Sequence, residues 1–244
     1  MVPTQFHRML ALPPEVRAKY DCSSTRTMVH AAAPCPPDVQ RRMLDWWGDS
    51  IFEYYAATEG GGTLVTPQEW RVHPGTVGRA WPGAEIKIFD DAGQELPVGQ
   101  QGTVYMRLGQ ADFEYHKDSE KTRKNRIGNY FTVGDVGYLN DEGYLFLCDR
   151  KIDMIISGGA NIYPAEIEHV LITLPGIADC AVIGIPDEEF GEALAAQVVA
   201  ETGATLDAET IRKVLGERIA GYKVPRRIDV VDALPRDDNG RASC

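Results

Sequence analysis

The sequence changes texture once, near Arg150-Lys151-Ile152, and that change divides the chain into two folding units. On the near side, beyond the Gly60-Gly61-Gly62 break, short alternating segments prevail. Glu85-Ile86-Lys87-Ile88-Phe89 alternates and runs into the turn Asp90-Asp91-Ala92-Gly93, and Gly102-Thr103-Val104-Tyr105-Met106-Arg107 alternates again. Residues 138–139 and 144–147 flank Asn140-Asp141-Glu142-Gly143, which reads as a hairpin. Short strands with regular turns predict a small β-barrel or sandwich from about residue 72 to 148. Ahead of it, Pro13-Pro14 and Pro36-Pro37 open helices, the second carrying Val39, Met43, Leu44 and Trp47 at helical spacing.

On the far side, strands alternate with helices. The pattern predicts a helix over 164–174 with Glu166 and Glu168 near its positive end, and apolar strands at 181–185 and 195–200. A helix over 206–219 follows, N-capped by Asp207, and then a last strand at 227–231. The fold class is therefore α/β in the mixed sense, α+β. Residues 1–150 form a partial domain with the β-barrel subdomain, and residues 153–244 a small α/β domain.

Charge and cysteine content exclude several functions. Lys plus Arg total 25 and Asp plus Glu 36, a net charge of −11 that repels nucleic acid and anionic membranes. A local basic site for one nucleotide remains compatible with it. No apolar run approaches the roughly 20 residues of a membrane helix, and the opening Met1-Val2-Pro3-Thr4-Gln5-Phe6 lacks the pattern of a secretory signal. The five cysteines are odd in number and form no CxxC pair, which indicates reduced thiols in a cytoplasmic protein.

Three stretches carry chemistry. In Tyr55-Ala56-Ala57-Thr58-Glu59-Gly60-Gly61-Gly62 an aromatic strand runs into a hydroxyl, a carboxylate and three glycines. Glycine amides can cradle an anion, a Thr hydroxyl can bond a phosphate oxygen, and a Glu can hold a hard cation such as Mg²⁺. The same stretch also reads as a polar hairpin tip. In Tyr130-Phe131-Thr132-Val133-Gly134-Asp135 the carboxylate is suited to accept both hydroxyls of a ribose, and equally to cap a turn. The third, from Asp149 through Gly158-Gly159 to Pro164 and Glu168, leads from charged residues into an apolar strand, a glycine pair and a proline-started helix. The basic run 121–126 could touch ligand phosphates, and is read instead as a solvated turn.

This third stretch resembles the inter-domain motif of the adenylate-forming (AMP-binding) superfamily, which includes acyl-CoA synthetases, luciferases and peptide-synthetase adenylation domains. Other matches fall in the same order. His30-Ala31-Ala32-Ala33-Pro34 resembles the adenine-side loop, Tyr55 to Glu59 the Tyr-Gly-x-Thr-Glu motif with Ala56 in place of glycine, and Thr132-Val133-Gly134-Asp135 the ribose motif. Tyr222-Lys223-Val224-Pro225 matches the element before the last strand, and Pro235-Arg236-Asp237-Asp238-Asn239-Gly240 opens the terminal motif. The runs 30–35 and 149–168 are most similar to fatty and aryl acyl-CoA synthetases.

The resemblance implies a ligase that uses ATP, Mg²⁺ and CoA to convert a carboxylic acid to its thioester. By it, Ala32, Ala33, Pro34, Tyr55, Thr58, Asp135 and Arg150 would bind the nucleotide, with Thr58 on the adenylate phosphate. Glu59 would hold the metal, Gly158 and Gly159 would line the CoA passage, and Ile152 would occupy the hinge position. Two departures accompany the matches. The Gly-rich phosphate loop expected upstream of His30 is not found, so the likeness is to the C-terminal half of such an enzyme. Arg241 stands where the family carries its catalytic lysine, and an arginine fork differs from an ammonium in shape and reach. These departures leave two expectations open: a ligase completed by a further segment, a complementing chain or a homo-oligomer, and a non-catalytic nucleotide-binding remnant.

Overall fold

The computed structural model describes residues 1–109, 113–151 and 153–235. The chain divides into two compact units, Met1–Cys148 and Asp149–Cys244.

The first unit opens with helices α1 (Pro3–Leu10) and α2 (Pro14–Arg17), strand β1 (Met28–His30) and helix α3 (Pro37–Trp47). Proline at the first helical position of each helix supplies a preset φ where no amide donor is needed. Strands β2 (Ile51–Ala56) and β3 (Gly62–Val65), helix α4 (Pro67–Val72) and strand β4 (Arg79–Ala80) follow. The four strands form one sheet in the order β1-β2-β3-β4, parallel between β1 and β2 and antiparallel thereafter. Its inner face buries Met28, Ile51 and Val65 in one core cluster with Phe6, Val39, Met43, Leu44 and Trp70 from the helices.

A second sheet of six strands comprises β5 (Ala84–Phe89), β6 (Gly102–Leu108), β7 (Arg126–Ile127), β8 (Tyr130–Phe131), β9 (Asp135–Leu139) and β10 (Leu145–Arg150). The alternating segments expected over 72–148 are its strands, but among the described residues they do not close into a barrel. The pairing order β10-β9-β6-β8-β7, with β5 on β6, leaves the sheet open. Alternation in sequence dictates which face a side chain takes; closure depends on long-range pairing and stagger that alternation does not encode. The basic run is also not a turn. Ser119–Lys124 forms the short helix α5, its first turn held by the Asp118 side chain accepting from the Lys121 amide at 2.9 Å.

The two sheets of this unit meet at residues 76–78. The Val77 amide and the Thr76 hydroxyl both donate to the Leu145 carbonyl, at 2.9 and 2.7 Å, and the Leu145 amide returns a bond to Gly78 at 2.8 Å. Gly78 has φ +100°, and a Cβ there would lie 2.1 Å from the Leu64 carbonyl oxygen, so only glycine fits the junction.

The second unit is built from β11 (Ile155–Ser157), β12 (Ala160–Ile162), α6 (Pro164–Leu171), β13 (Ile177–Asp187), β14 (Gly191–Ala200), α7 (Ala208–Gly216) and β15 (Arg227–Val231). The long hairpin β13–β14 is the frame, β15 adds in parallel to β14, and β11 pairs β14 at Ser157–Gly191. Ile167 and Leu171 of α6 and Ile211 and Leu215 of α7 share one core cluster with Val182, Leu194, Ala196, Val198 and Ile228 of the sheet. Asp207 caps α7 by accepting from the Thr210 amide at 2.9 Å. Among the described residues, no helix is long and apolar enough to cross a membrane.

Candidate nucleotide site

Strands β2 and β3 form an antiparallel hairpin whose tip is residues 57–61, with Gly60 and Gly61 at φ +110° and +88°. Thr58 and Glu59 sit on this tip, so the hairpin and the chemical motif are the same element. The Thr58 hydroxyl donates to Glu59 Oε2 at 3.1 Å and the Tyr115 hydroxyl donates to Glu59 Oε1 at 2.7 Å. The Tyr115 ring carries the Lys121 ammonium 4.3 Å from its centroid. Burial works against ionisation of Glu59. The hydrogen bonds from Tyr115, the backbone and Thr58, with the Lys121 charge, outweigh it and hold the carboxyl below its ordinary range. Burial, and then the bond to Glu59, push the Tyr115 phenol up, so it remains a donor.

Two residues before the tip, Tyr55 reaches across to the second sheet. Its hydroxyl donates to Asp135 Oδ2 at 2.6 Å. Asp135 opens β9 immediately after Gly134, which takes φ +89° and donates its amide to the Thr132 hydroxyl at 3.0 Å. That turn buries Asp135 to 8% exposure. The structure thus brings Tyr55 to Asp135 and Thr58 to Glu59, both through one hairpin. Ala32, Ala33 and Pro34 lie in the loop leaving β1, where Ala32 holds φ +75° without being glycine.

The remaining expected residues belong to the second unit or fall outside the described residues. Arg150 ends β10 and is exposed. Neighbouring Asp149 accepts the Ala165 amide at 3.0 Å in the first turn of α6, where an anion is favoured. Gly158 and Gly159 make the two-residue turn between β11 and β12, with φ +56° and +80°. A Cβ on Gly158 would come within 2.9 Å of the Phe190 ring. Lys223 donates to both carboxylate oxygens of Glu166 at 2.7 and 2.6 Å. Ile152 and Arg241 lie outside the described residues.

Tyr115 was not singled out by the sequence, and Lys121 only as part of the basic run. A tyrosine 56 residues from its carboxylate partner leaves no spacing signal. For a metal, the fit rests on Glu59 alone. It is ionised, partly accessible and on a flexible-looking set of glycines, and no group of three or more His, Cys, Asp or Glu assembles among the described residues. One carboxylate suits a hard cation that keeps waters and takes its other ligands from substrate phosphates, as Mg²⁺ does, and does not suit a protein-enclosed metal.

The sequence matches the AMP-binding enzyme family over residues 1–111 and the AMP-binding enzyme C-terminal domain over residues 166–241. The chain belongs to the AMP-binding enzyme family. Within it, a methyl-dioxo-octahydroindenyl-propanoyl:CoA ligase of Rhodococcus jostii is 40% identical over 98% of this chain and 45% of its own length. A long-chain-fatty-acid–CoA ligase of Mycobacterium tuberculosis is 36% identical over 92% of this chain and 44% of its own. Among solved structures, the amide bond synthetase McbA of Marinactinospora thermotolerans superposes with a TM-score of 0.90 at 32% identity, over 99% of this chain and 50% of that one. ATP-bound MatB of Rhodopseudomonas palustris gives 0.87 at 34% identity, over 99% and 48%. The chain therefore spans about half the length of the AMP-binding enzymes it matches.

Proposed function

We propose that the chain carries part of the active site of a carboxylic acid–CoA ligase. The reaction joins the acid to CoA through an acyl-adenylate, with ATP becoming AMP and pyrophosphate. One observation carries the reading: a single hairpin delivers a hydroxyl and an ionised carboxylate at its tip and, through Tyr55, a buried acceptor in Asp135.

In the first half-reaction a carboxylate oxygen attacks the α-phosphorus and the bond to pyrophosphate breaks. In the second, the CoA sulfur attacks the activated carbonyl, AMP departs with the bonding pair, and the thiol proton passes to solvent. Thr58 donates to a non-bridging oxygen of the α-phosphate. Asp135 accepts from the ribose hydroxyls, the resemblance gives Arg150 a ribose role as well, and the Tyr55 ring and the Ala32-Ala33-Pro34 loop bracket the base. Glu59 would hold Mg²⁺, which when bound would supply neutralisation of charge at the phosphates. In the second unit, residues 153–244 form the lid domain. There Gly158 and Gly159 leave room for the pantetheine arm, Ile152 marks the hinge, and Arg241 occupies the lysine position. Val29, Tyr54 and Leu64 are 37%, 41% and 44% exposed on the outer face of the first sheet.

Carboxylate-dependent ATP–pyrophosphate exchange by the purified chain tests the reading. Any exchange is expected to fall about 100-fold in Glu59→Ala, a loss typical of removing one charge-stabilising group. No exchange from a folded sample rejects catalysis by this chain. It leaves nucleotide binding without turnover, the reading that Arg241 in place of lysine favours.

A further inference from the structure

Beneath the nucleotide loop, three polar side chains are shut inside the apolar core of the first unit. His30 is 0% exposed, Gln40 1% and Glu53 6%. His30 and Glu53 face each other as register partners on parallel β1 and β2, and His30 Nε2 stands 3.6 Å from Glu53 Oε2. Gln40 reaches in from α3. Neither imidazole nitrogen, nor the carboxamide oxygen or nitrogen of Gln40, has a hydrogen-bond partner of good geometry. Phe6 stands edge-on to the His30 ring at 5.1 Å, and Met28, Ile51 and Met43 complete the apolar wall. Buried polar atoms left this way cost of the order of 1–3 kcal/mol each, so His30 and Gln40 call for a compensating role.

Position supplies that role. The chain leaves His30 straight into the loop through Ala32, the one non-glycine residue of β1–α3 with left-handed φ, and returns to the core at Gln40. Glu53 lies two residues before Tyr55 on β2. The cluster therefore grips both ends of the Ala32-Ala33-Pro34 loop and the root of the Tyr55 strand.

We infer that His30, Gln40 and Glu53 are positioning residues for the nucleotide, acting as a buried cluster of neutral side chains. The inference rests on the nucleotide reading above. Burial pushes the Glu53 carboxyl up to about 8 and, with the Met1 ammonium, pushes His30 down to about 4; Gln40 opposes both. At neutral pH the carboxyl thus keeps its proton and the imidazole beside it stays uncharged. The other titratable group facing the pair is the Cys35 thiol, itself raised by burial and then by Glu53; α3 contributes the uncharged Gln40, and α1 the Phe6 ring. Above pH 8 the proton leaves, a carboxylate remains in an apolar core, and the loop loses its anchor.

Two measurements test this on the whole chain. Calorimetric ATP binding, followed from pH 7 to 9.5, compares wild type with Glu53→Gln, which keeps the shape and a donor but cannot ionise. Wild-type affinity is expected to fall toward the one-proton limit, about tenfold per pH unit above 8, and Glu53→Gln to stay flat. Parallel profiles overturn the positioning role and leave the nucleotide reading standing. NMR of the His30 ring nitrogens in the unliganded chain should show a step near pH 8 that Glu53→Gln removes. Absence of the step overturns the neutral Glu53 carboxyl whether or not ATP binds. A step without any ATP binding overturns both the positioning role and the nucleotide reading.

Discussion

Glu53 makes the stability of the first unit depend on pH in a definite sense. Its carboxyl lies near 8 in the folded chain against an ordinary 4.5, so folding takes up a proton, and the stability that proton confers is lost as pH rises from 4.5 to 8. His30 works oppositely over a lower range, since its folded value near 4 lies below the ordinary 6.5 and its unfavourable protonation is relieved between those values. The two slopes oppose each other up to pH 6.5, which leaves a net decline from 6.5 to 8. At 1.36 kcal/mol per unit this is about 2 kcal/mol, visible as a falling denaturation midpoint of that unit and abolished in Glu53→Gln. A midpoint unchanged across that window contradicts a protonated Glu53. At this scale the sequence is informative for some residues and silent for others. Thr58, Glu59 and Asp135 stand beside glycines whose backbone freedom marks them. Tyr115 and the Gln40 amide earn their places only through partners distant in the chain.

Helix α4 shows how an element can carry its own signature and still be overlooked. Thr66-Pro67-Gln68-Glu69 is a capping box. Thr66 accepts the Glu69 amide at 3.3 Å, Glu69 Oε2 accepts the Thr66 amide at 2.9 Å, and Pro67 opens the helix. The β-like texture after Gly62 masks it, because six residues are too few for helical periodicity to show. Thr66→Ala should cost about 1 kcal/mol in a melt of the first unit, since α4 seats Trp70, 2% exposed, in the core. Longer helices are more legible: α3, α6 and α7 lie where apolar spacing and proline or aspartate starts put them, whereas the strands expected at 181–185 and 195–200 prove to be parts of the longer β13–β14 hairpin. The parallel pairing of β1 with β2 is not legible, since three residues of β1 find partners more than twenty positions away. The barrel expectation erred for the same reason, with the strands local and their closure not.

At the scale of the whole molecule, two compact units joined near Asp149 should respond separately to stress. Limited proteolysis is expected to cut first between residues 149 and 153 and to leave the second unit as the resistant fragment. Digestion of that unit ahead of the first would move the boundary. The resistance has a local origin: β13 and β14 pair from Asp179 to Gly191 through a continuous hairpin ladder that needs no distant chain.

The last strand reverses that advantage. β15 lies parallel to β14, pairing Ala195 with Arg227, so the ladder on that side of β14 cannot form until residues 227–231 have left the ribosome. At about 5–20 residues per second, the interval between the appearance of Ala200 and of Arg227 is roughly 1 to 5 s. For those seconds a nascent chain presents one open rank of amides and carbonyls on Val198 and Val199. Translation speed over that short stretch thereby becomes a determinant of yield, and synonymous codons there carry a consequence that the protein sequence itself does not record.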